Sequence, residues 1–328
     1  MDPSDPHQAE PNILPPTLAN YHLAAKFLLQ GKLVSFPTET VYGLGADATS
    51  DPAVANIFDA KQRPAFNPLI IHLPSLEEAE KYVEFDLTSR KLAENFWPGP
   101  LTLVLKKKPN SMLSALVSAG LDTVAVRVPA HPVAQGLLEN FKYPIAAPSA
   151  NISGKLSPTR PQHVARALSA KVAMILDGPP CRNGLESTIA HVAGSEIRLL
   201  RPGGITKREI EEVTGLRVTY YQDGQNPTAP GQLKSHYAPE TKIRLNAETI
   251  YPGEALLAFG SLYPKDATIL RNLSPKGSLH EAATNLFSML HELDQLGCSA
   301  IAVSPIPDKG LGVAINDRLR RAATRPEE

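Results

Sequence analysis

Apolar positions change period along this chain, and the changes mark out its elements. Leu18, Tyr21, Ala25 and Leu28 recur at helical spacing between Thr17 and Gly31, which predicts a capped helix. Residues 33–36 then read as a short buried strand stopped by Pro37. Ser50 or Asp51, followed by Pro52, opens a helix through Val54, Ile57 and Phe58. Residues 69–73 read as a strand with His72 inside it, and Ser75 with Glu78 has the spacing of a capping box. A helix over 86–97 is closed by Pro98-Gly99-Pro100, and residues 101–105 and 123–128 alternate as strands do. Helices follow at 131–141, 161–168 and 207–213, with strands at 145–147, 172–176, 187–192, 196–200 and 217–221. Strands outnumber helices and several neighbours are joined at hairpin length. A mixed sheet with helices packed on it is therefore expected, not a strictly parallel doubly wound one.

Residues 222–239 carry no apolar period, and their proline, glycine and polar content reads as a linker. Beyond it a strand at 255–259, a long helix at 278–296, a strand at 300–303 and a basic helix at 312–323 suit a small α/β domain. The first sixteen residues are acidic and proline-rich and lack the pattern of a signal peptide. The chain thus divides into a leader (1–16), a large α/β domain (17–221), a linker (222–240) and a second domain (241–328).

With 328 residues, 42% hydrophobic and 20% charged, the chain has an ordinary globular composition. Its 33 basic and 33 acidic side chains cancel, which argues against binding nucleic acid through bulk charge. Cys181 and Cys298 are far apart and outside any metal-ligand spacing, so reduced, buried thiols are expected. No apolar run approaches the ~20 residues that span a bilayer. A cytoplasmic protein with no membrane partner is the expectation.

Gly43-Leu44-Gly45-Ala46-Asp47-Ala48 matches G-x-G-x-x-A loosely. The helix opens only near Asp51, too late for a dinucleotide turn, so no nicotinamide is expected and the glycines read as turn residues tolerating positive φ. There is no P-loop, no H-E-x-x-H and no paired-cysteine zinc site. Lys61, Arg63 and Asn67 follow a helix and precede a strand. They suit either phosphate binding or a solvated helix end, and Pro64 and Pro68 stiffen the loop in favour of the first. Their cationic heads are expected at the surface of a cleft. Ser149 and Asn151 lie at a strand's end, where ligand crevices form, or in a plain polar turn. Arg127, on a buried strand, needs an anionic partner, for which a substrate carboxylate is a candidate. Arg201 ends a strand, and Ser187-Thr188 after Glu186 offers hydroxyls. With no acid/base dyad, chemistry by positioning and charge neutralisation fits best.

The run PTETVYGLGADA, then KQRP, NPLIIH, APSAN, ESTI and LLRPG, resembles the YrdC-like threonylcarbamoyl-AMP synthase family. Ala229-Pro230-Gly231 to His236-Tyr237-Ala238-Pro239 and the ending GLGVAINDRLRRAA look like its longer, two-domain branch. The resemblance implies a twisted mixed sheet around a concave pocket plus a small Rossmann-like C-terminal domain. It implies a nucleotidyltransferase that joins L-threonine, bicarbonate and ATP into threonylcarbamoyl-AMP, pyrophosphate and water, with Mg²⁺ accompanying ATP. The product would feed a separate tRNA-modifying transferase acting beside the anticodon; direct tRNA contact is left open. The family's K-x-R…S-x-N pattern falls on Lys61, Arg63, Ser149 and Asn151. Position within the motifs puts threonine at Thr40, His72, Arg127, the Ala147 backbone and Ser187. It puts ATP at Arg63, Asn67, Thr123, Ser149, Ser157 and Arg201, with Tyr237 closing over the nucleotide. Other readings are a double-stranded-RNA-binding module on the same concave sheet, and a carbamoyl-transfer domain like that of hydrogenase-maturation proteins.

Overall fold

The computed structural model describes residues 12–221, 230–231 and 235–324. Most of the predicted leader, residues 222–229 and 232–234 of the linker, and the last four residues lie outside these. The strands of the first unit are β1 Ile13–Leu14, β2 Val34–Phe36, β3 Gly43–Asp47, β4 Ile70–His72, β5 Leu101–Lys106, β6 Thr123–Arg127, β7 Ile145–Ala146, β8 Met174–Leu176, β9 Thr188–Ala193, β10 Glu196–Arg201 and β11 Arg217–Tyr220. Its helices are α1 Leu18–Leu29, α2 Asp51–Lys61, α3 Leu76–Ala79, α4 Leu87–Phe96, α5 Pro132–Phe141, α6 Pro161–Leu168 and α7 Lys207–Thr214. The second unit holds β12 Lys242–Arg244, β13 Glu254–Ala258, β14 Leu270–Asn272, α8 Leu279–Asp294, β15 Ala300–Val303 and α9 Leu311–Ala323.

Sequence signals at the helix ends act as physics requires. Thr17, Ser50 and Ser75 accept from backbone amides three residues on, and Asp86–Ser89 and Thr206–Glu209 form reciprocal boxes. The α1 stripe turns slightly from its predicted face: Ala24, Ala25 and Leu28 are buried while Leu18 is exposed, because α5 covers only one side.

The large sheet runs β1-β8-β2-β3-β7-β4-β6-β5-β9-β10-β11. Parallel pairs such as β4–β6 and β5–β9 alternate with antiparallel ones such as β2–β3, β4–β7 and β5–β6. This is the expected mixed sheet. The small sheet, β12-β15-β13-β14, is parallel throughout, as a Rossmann-like unit requires.

Strand β3 was not foreseen. Gly43 and Gly45 sit inside it, and neither has positive φ. They are strand glycines for close packing, not turn glycines. A Cβ on Gly45 would lie 2.9 Å from both Ile145 Cγ2 and Phe36 Cε1. The core of the second unit also reaches out of it. Its apolar cluster of Leu286, Phe287, Leu290 and Ile315 includes Val41, Leu156, Leu185 and Tyr237. Both cysteines are free as expected, but only Cys181 is buried; Cys298 is half-exposed beside the end of α8. No helix among the described residues is long and apolar enough to cross a membrane.

Gly45→Ala should destabilise the protein by ~1–3 kcal/mol, since Phe36 and Ile145 are themselves buried and cannot retreat. A denaturant midpoint equal to wild type would show that the β2–β3–β7 contact is loose.

Candidate active site

One end of the large sheet gathers ionisable side chains around a cavity. Its walls are the loop after β2, the ends of β4, β6 and β10, the turn after β7 and the start of β9. Thr40, His72, Arg127, Ala147, Ser149, Ser187, Arg63, Arg201 and Tyr237 all line it. Glu186, Pro230, Gly231 and His236 line it too. A larger hollow of about 470 Å³ beside Lys32, Asp59 and Lys171 gathers none of the predicted residues.

Arg127, buried at the end of β6, donates from Nη2 to Glu39 Oε1 at 2.6 Å, from Nη1 to Thr40 Oγ1 at 2.9 Å and from Nε to Gly99 O at 3.2 Å. Its anionic partner is therefore Glu39 of the chain itself, where a substrate carboxylate was expected. Glu39 also accepts from Ala130 N. The Thr40 proton can be placed. Thr38 Oγ1 donates to Val41 O, so in its 2.8 Å contact with Thr40 Oγ1 the Thr40 hydroxyl is the donor. Thr40 accepts from Arg127 and donates to Thr38, leaving one lone pair for a ligand's donor.

His72 stands beside Arg127, with its Nδ1 unpartnered among the described residues. Burial first, and then the Arg127 charge, lower its pKa to about 3, so it is a neutral imidazole at pH 7. Ser187 Oγ lies 2.7 Å from Thr102 Oγ1, and Arg201 donates to both its hydroxyl and its carbonyl.

The K-x-R segment is buried, not displayed at a cleft surface. Lys61 is 1% exposed, and its Nζ donates to Ser149 O at 2.6 Å and to Asn151 O. The left-handed Gln62 that ends α2 turns the chain directly after it. Burial, then the nearby Arg63 charge, push the Lys61 pKa well down. In this geometry Lys61 clamps the Ser149–Asn151 turn and does not line the cavity. Arg63 does line it. Its Nη2 donates to Asn67 Oδ1 and Pro68 O, and its Nε donates to Asn67 O. Burial, then repulsion from Arg201, bring its pKa to about 9.

Besides Lys61, four predicted residues stand outside the lining. Asn67 holds Arg63. Asn151 turns its amide to Ile152 O and Lys155 O. Ser157 donates to Glu186 Oε1. Thr123 opens β6, at the opposite end of that strand from Arg127. Reasoning from sequence passed over Glu39 and Glu186. Both lie inside quoted motifs, and the signal that could have found them is the buried arginine's need for a counter-charge. Glu186 in turn accepts from Arg318 Nε at 2.9 Å, across the boundary with the second unit.

The class these features define is a YrdC-like α/β protein with a cation-lined cavity at one edge of a twisted mixed sheet. Residues 26–203 match the Sua5/YciO/YrdC family model, described as telomere recombination. Residues 205–324 match the model described as threonylcarbamoyl-AMP synthase, C-terminal domain. The threonylcarbamoyl-AMP synthase of Pyrococcus abyssi is 43% identical over 92% of this chain and 93% of its own length. That of Bacillus subtilis is 40% identical over 92% of each. A crystal structure of P. abyssi Sua5 complexed with L-threonine superposes with a TM-score of 0.86 at 42% identity, covering 94% of this chain and 95% of that one. The fold is also that of Escherichia coli YciO, with a TM-score of 0.53 at 22% identity over 61% and 96% of the two chains. The chain belongs to the threonylcarbamoyl-AMP synthase family, in its two-domain branch.

Lys61→Ala should cost about 2 kcal/mol of stability as well as turnover, because it strips the donor from two buried carbonyls. Unchanged thermal stability would return Lys61 to a purely catalytic reading. The neutral buried histidines give a pH signature. His72 and His163 both have pKa lowered to about 3 by burial, His163 also by His291. Below the ordinary value of 6.5 the unfolded chain takes up protons that the fold refuses. Stability should therefore fall by ~1.4 kcal/mol per pH unit for each such histidine as pH drops from about 6.5 towards 5. A flat stability profile over that window would mean these rings are solvated.

Proposed function

We propose that this chain catalyses the formation of L-threonylcarbamoyl-adenylate from L-threonine, bicarbonate and ATP, releasing pyrophosphate and water. The observation that carries the reading is the meeting of two residue sets in one cavity. Thr40, His72, Arg127 and Ser187 supply hydroxyls, an imidazole and a paired cation, and Arg63, Arg201 and Ser149 supply two further cations and a hydroxyl. The first set suits an amino acid with a hydroxyl side chain, and the second suits phosphates. We read residues 17–221 as the catalytic domain, 222–240 as a lid and 241–328 as the C-terminal domain.

In this mechanism the threonine amine captures CO₂ derived from bicarbonate as a carbamate. A carbamate oxygen attacks the α-phosphorus, the bond to the β-phosphate oxygen breaks, and pyrophosphate leaves. The protein makes no covalent bond. Thr40 offers its remaining lone pair and neutral His72 offers Nδ1 to the substrate's ammonium or hydroxyl. Arg127 serves as the charge of that set, already oriented by Glu39. A site that bonds a hydroxyl rejects an analogue lacking it strongly, which favours threonine over alanine-like side chains. Arg63 and Arg201 take up the charge that develops on the phosphates, an adenylyl-transfer role for groups preorganised by Asn67 and Ser187. Lys61 and Asn151 shape the Ser149 turn, Tyr237 forms the nucleotide side, and Ser157 supports it through its hydrogen bond to Glu186. Thr123 joins that side only if the nucleotide extends along β6.

The cavity holds about 40 Å³, room for a few waters. Pro230, Gly231, His236 and Tyr237 of the linker form part of its wall, so admitting ATP requires them to withdraw. Mg²⁺ would arrive with the triphosphate. No group of three or more His, Cys, Asp or Glu suited to a metal occurs among the described residues, and no step is derived through the ion. The product suits a tRNA-modifying transferase in the cytoplasm. Neutral net charge favours hand-over of a small molecule above tight tRNA binding.

Pyrophosphate release should require L-threonine and bicarbonate together. Arg63→Ala should lower kcat/KM for ATP about 100-fold while moving the threonine KM by less than about threefold. Release that runs equally well with serine, or without bicarbonate, would sink the substrate assignment. Binding of double-stranded RNA with steep salt dependence and no turnover would favour the RNA-binding alternative instead.

A further inference from the structure

The closing run GLGVAINDRLRRAA takes no part in the chemistry above, yet it holds the largest fully buried side chain of the described residues. Arg318, on α9, is 1% exposed. Its Nε donates to Glu186 Oε2 at 2.9 Å and its Nη1 to Asp317 Oδ2 at 2.8 Å. The guanidinium carbon lies 5.2 Å from the centre of the Tyr237 ring. Glu186 lines the active-site cavity, and its other oxygen accepts from Ser157. A helix of the C-terminal domain thus grips the wall of a pocket built by the other domain.

The grip matters because of Arg201. That arginine lines the same cavity and gives its hydrogen bonds to Ser187 and to Pro230 O. None of the ion pairs among the described residues involves it; burial lowers its pKa first, the Arg318 charge lowers it further, and Tyr237 and Glu186 raise it. A buried carboxylate seeks the nearest cation. With Arg318 in place, Glu186 has its partner. Without it, the carboxylate would turn to Arg201, drawing that charge away from the phosphates and adding a negative charge beside them.

We propose that Arg318 is a positioning residue of the ATP site: it holds Glu186 away from Arg201, so that Arg201 stays free for the triphosphate. The C-terminal domain then completes the nucleotide side of the pocket, beyond carrying the linker. The proposal rests on the ATP assignment made above.

The test uses the full chain, with Arg318→Met, Arg318→Lys, Glu186→Gln and the double variant Arg318→Met/Glu186→Gln. ATP affinity is read as KM in pyrophosphate release and as Kd by titration with a non-hydrolysable ATP analogue. Thermal melting reports folding. Arg318→Met should weaken ATP about tenfold in both measures and leave the threonine KM within about twofold, and Arg318→Lys should weaken it only about threefold. The double variant should regain ATP affinity to within about threefold of Glu186→Gln, because the stray carboxylate is gone. A merely structural role predicts a lower melting temperature with unchanged ATP KM, and a double variant no better than Arg318→Met. Either result overturns the proposal. Should Arg318→Met not fold, Arg318→Lys and the double variant decide it: unchanged ATP affinity in Arg318→Lys, or a double variant binding ATP about tenfold more weakly than Glu186→Gln, overturns it. A wild type that binds the analogue but releases no pyrophosphate with threonine fails the reaction assignment alone, and Kd still judges Arg318. A wild type that binds no analogue fails both.

Discussion

Cations buried in excess of anions set the terms for this molecule. Lys61, Arg63, Arg127, Arg201 and Arg318 are all almost fully buried near one cavity, and the buried carboxylates beside them are Glu39 and Glu186. Removing a charge from water costs several kcal/mol unless partners replace the water. The fold supplies those partners unevenly. Arg127 and Arg318 receive carboxylates. Arg63, Arg201 and Lys61 receive carbonyl, amide and hydroxyl oxygens, which orient them without neutralising them. The lowered pKa values of Lys61, Arg63 and Arg201, each from burial first, record that imbalance. A polyanion entering the cavity would relieve it, which is what supports the phosphate-binding role proposed above.

That uneven pairing also explains which parts of the site could be read from the chain. The α/β class, the mixed sheet and the second domain follow from periodicity, because the core must repeat wherever a face is buried. Among the described residues of the predicted site, most converge because each sits at a strand end or in a loop on one side of the sheet. What the pattern did not carry was partnership. Arg127 on a buried strand called for an anion, and the chain's own Glu39 satisfies it. Lys61 in a cation-rich loop suggested a cleft surface, but the left-handed residue after it closes α2 and leaves Lys61 inside. Glycines at 43 and 45 looked like a turn because glycine is rare in strands. Only the positions of Phe36 and Ile145 show why a side chain at 45 is crowded.

Thr123 and Asn67 show the same limit from another side. A motif position names a residue but not its distance from the cavity. Thr123 starts the strand that Arg127 ends, so the two stand at opposite ends of it. Asn67 spends its side chain on Arg63, which makes it a support for a cavity-lining cation in this geometry.

The boundary between the two units is where the imbalance is managed at longest range. Val41, Leu156 and Leu185 of the first unit and Tyr237 of the linker pack into the core of the second unit. Lys155 pairs with Glu240, and His291 of α8 bonds Ser157 O while stacking on His163 at 3.9 Å. An apolar seam of this kind fixes the second unit's helices relative to the cavity, and only a fixed helix can present Arg318 to Glu186 with useful geometry. The linker crosses the same seam. Tyr237 is buried against Phe287 on one side and close to the Arg318 guanidinium on the other. Any withdrawal of that tyrosine to admit a nucleotide must therefore give up contacts with the second unit as well as with the cavity. The seam thus supports the cavity-lining arginines and also holds the linker residues that wall the cavity.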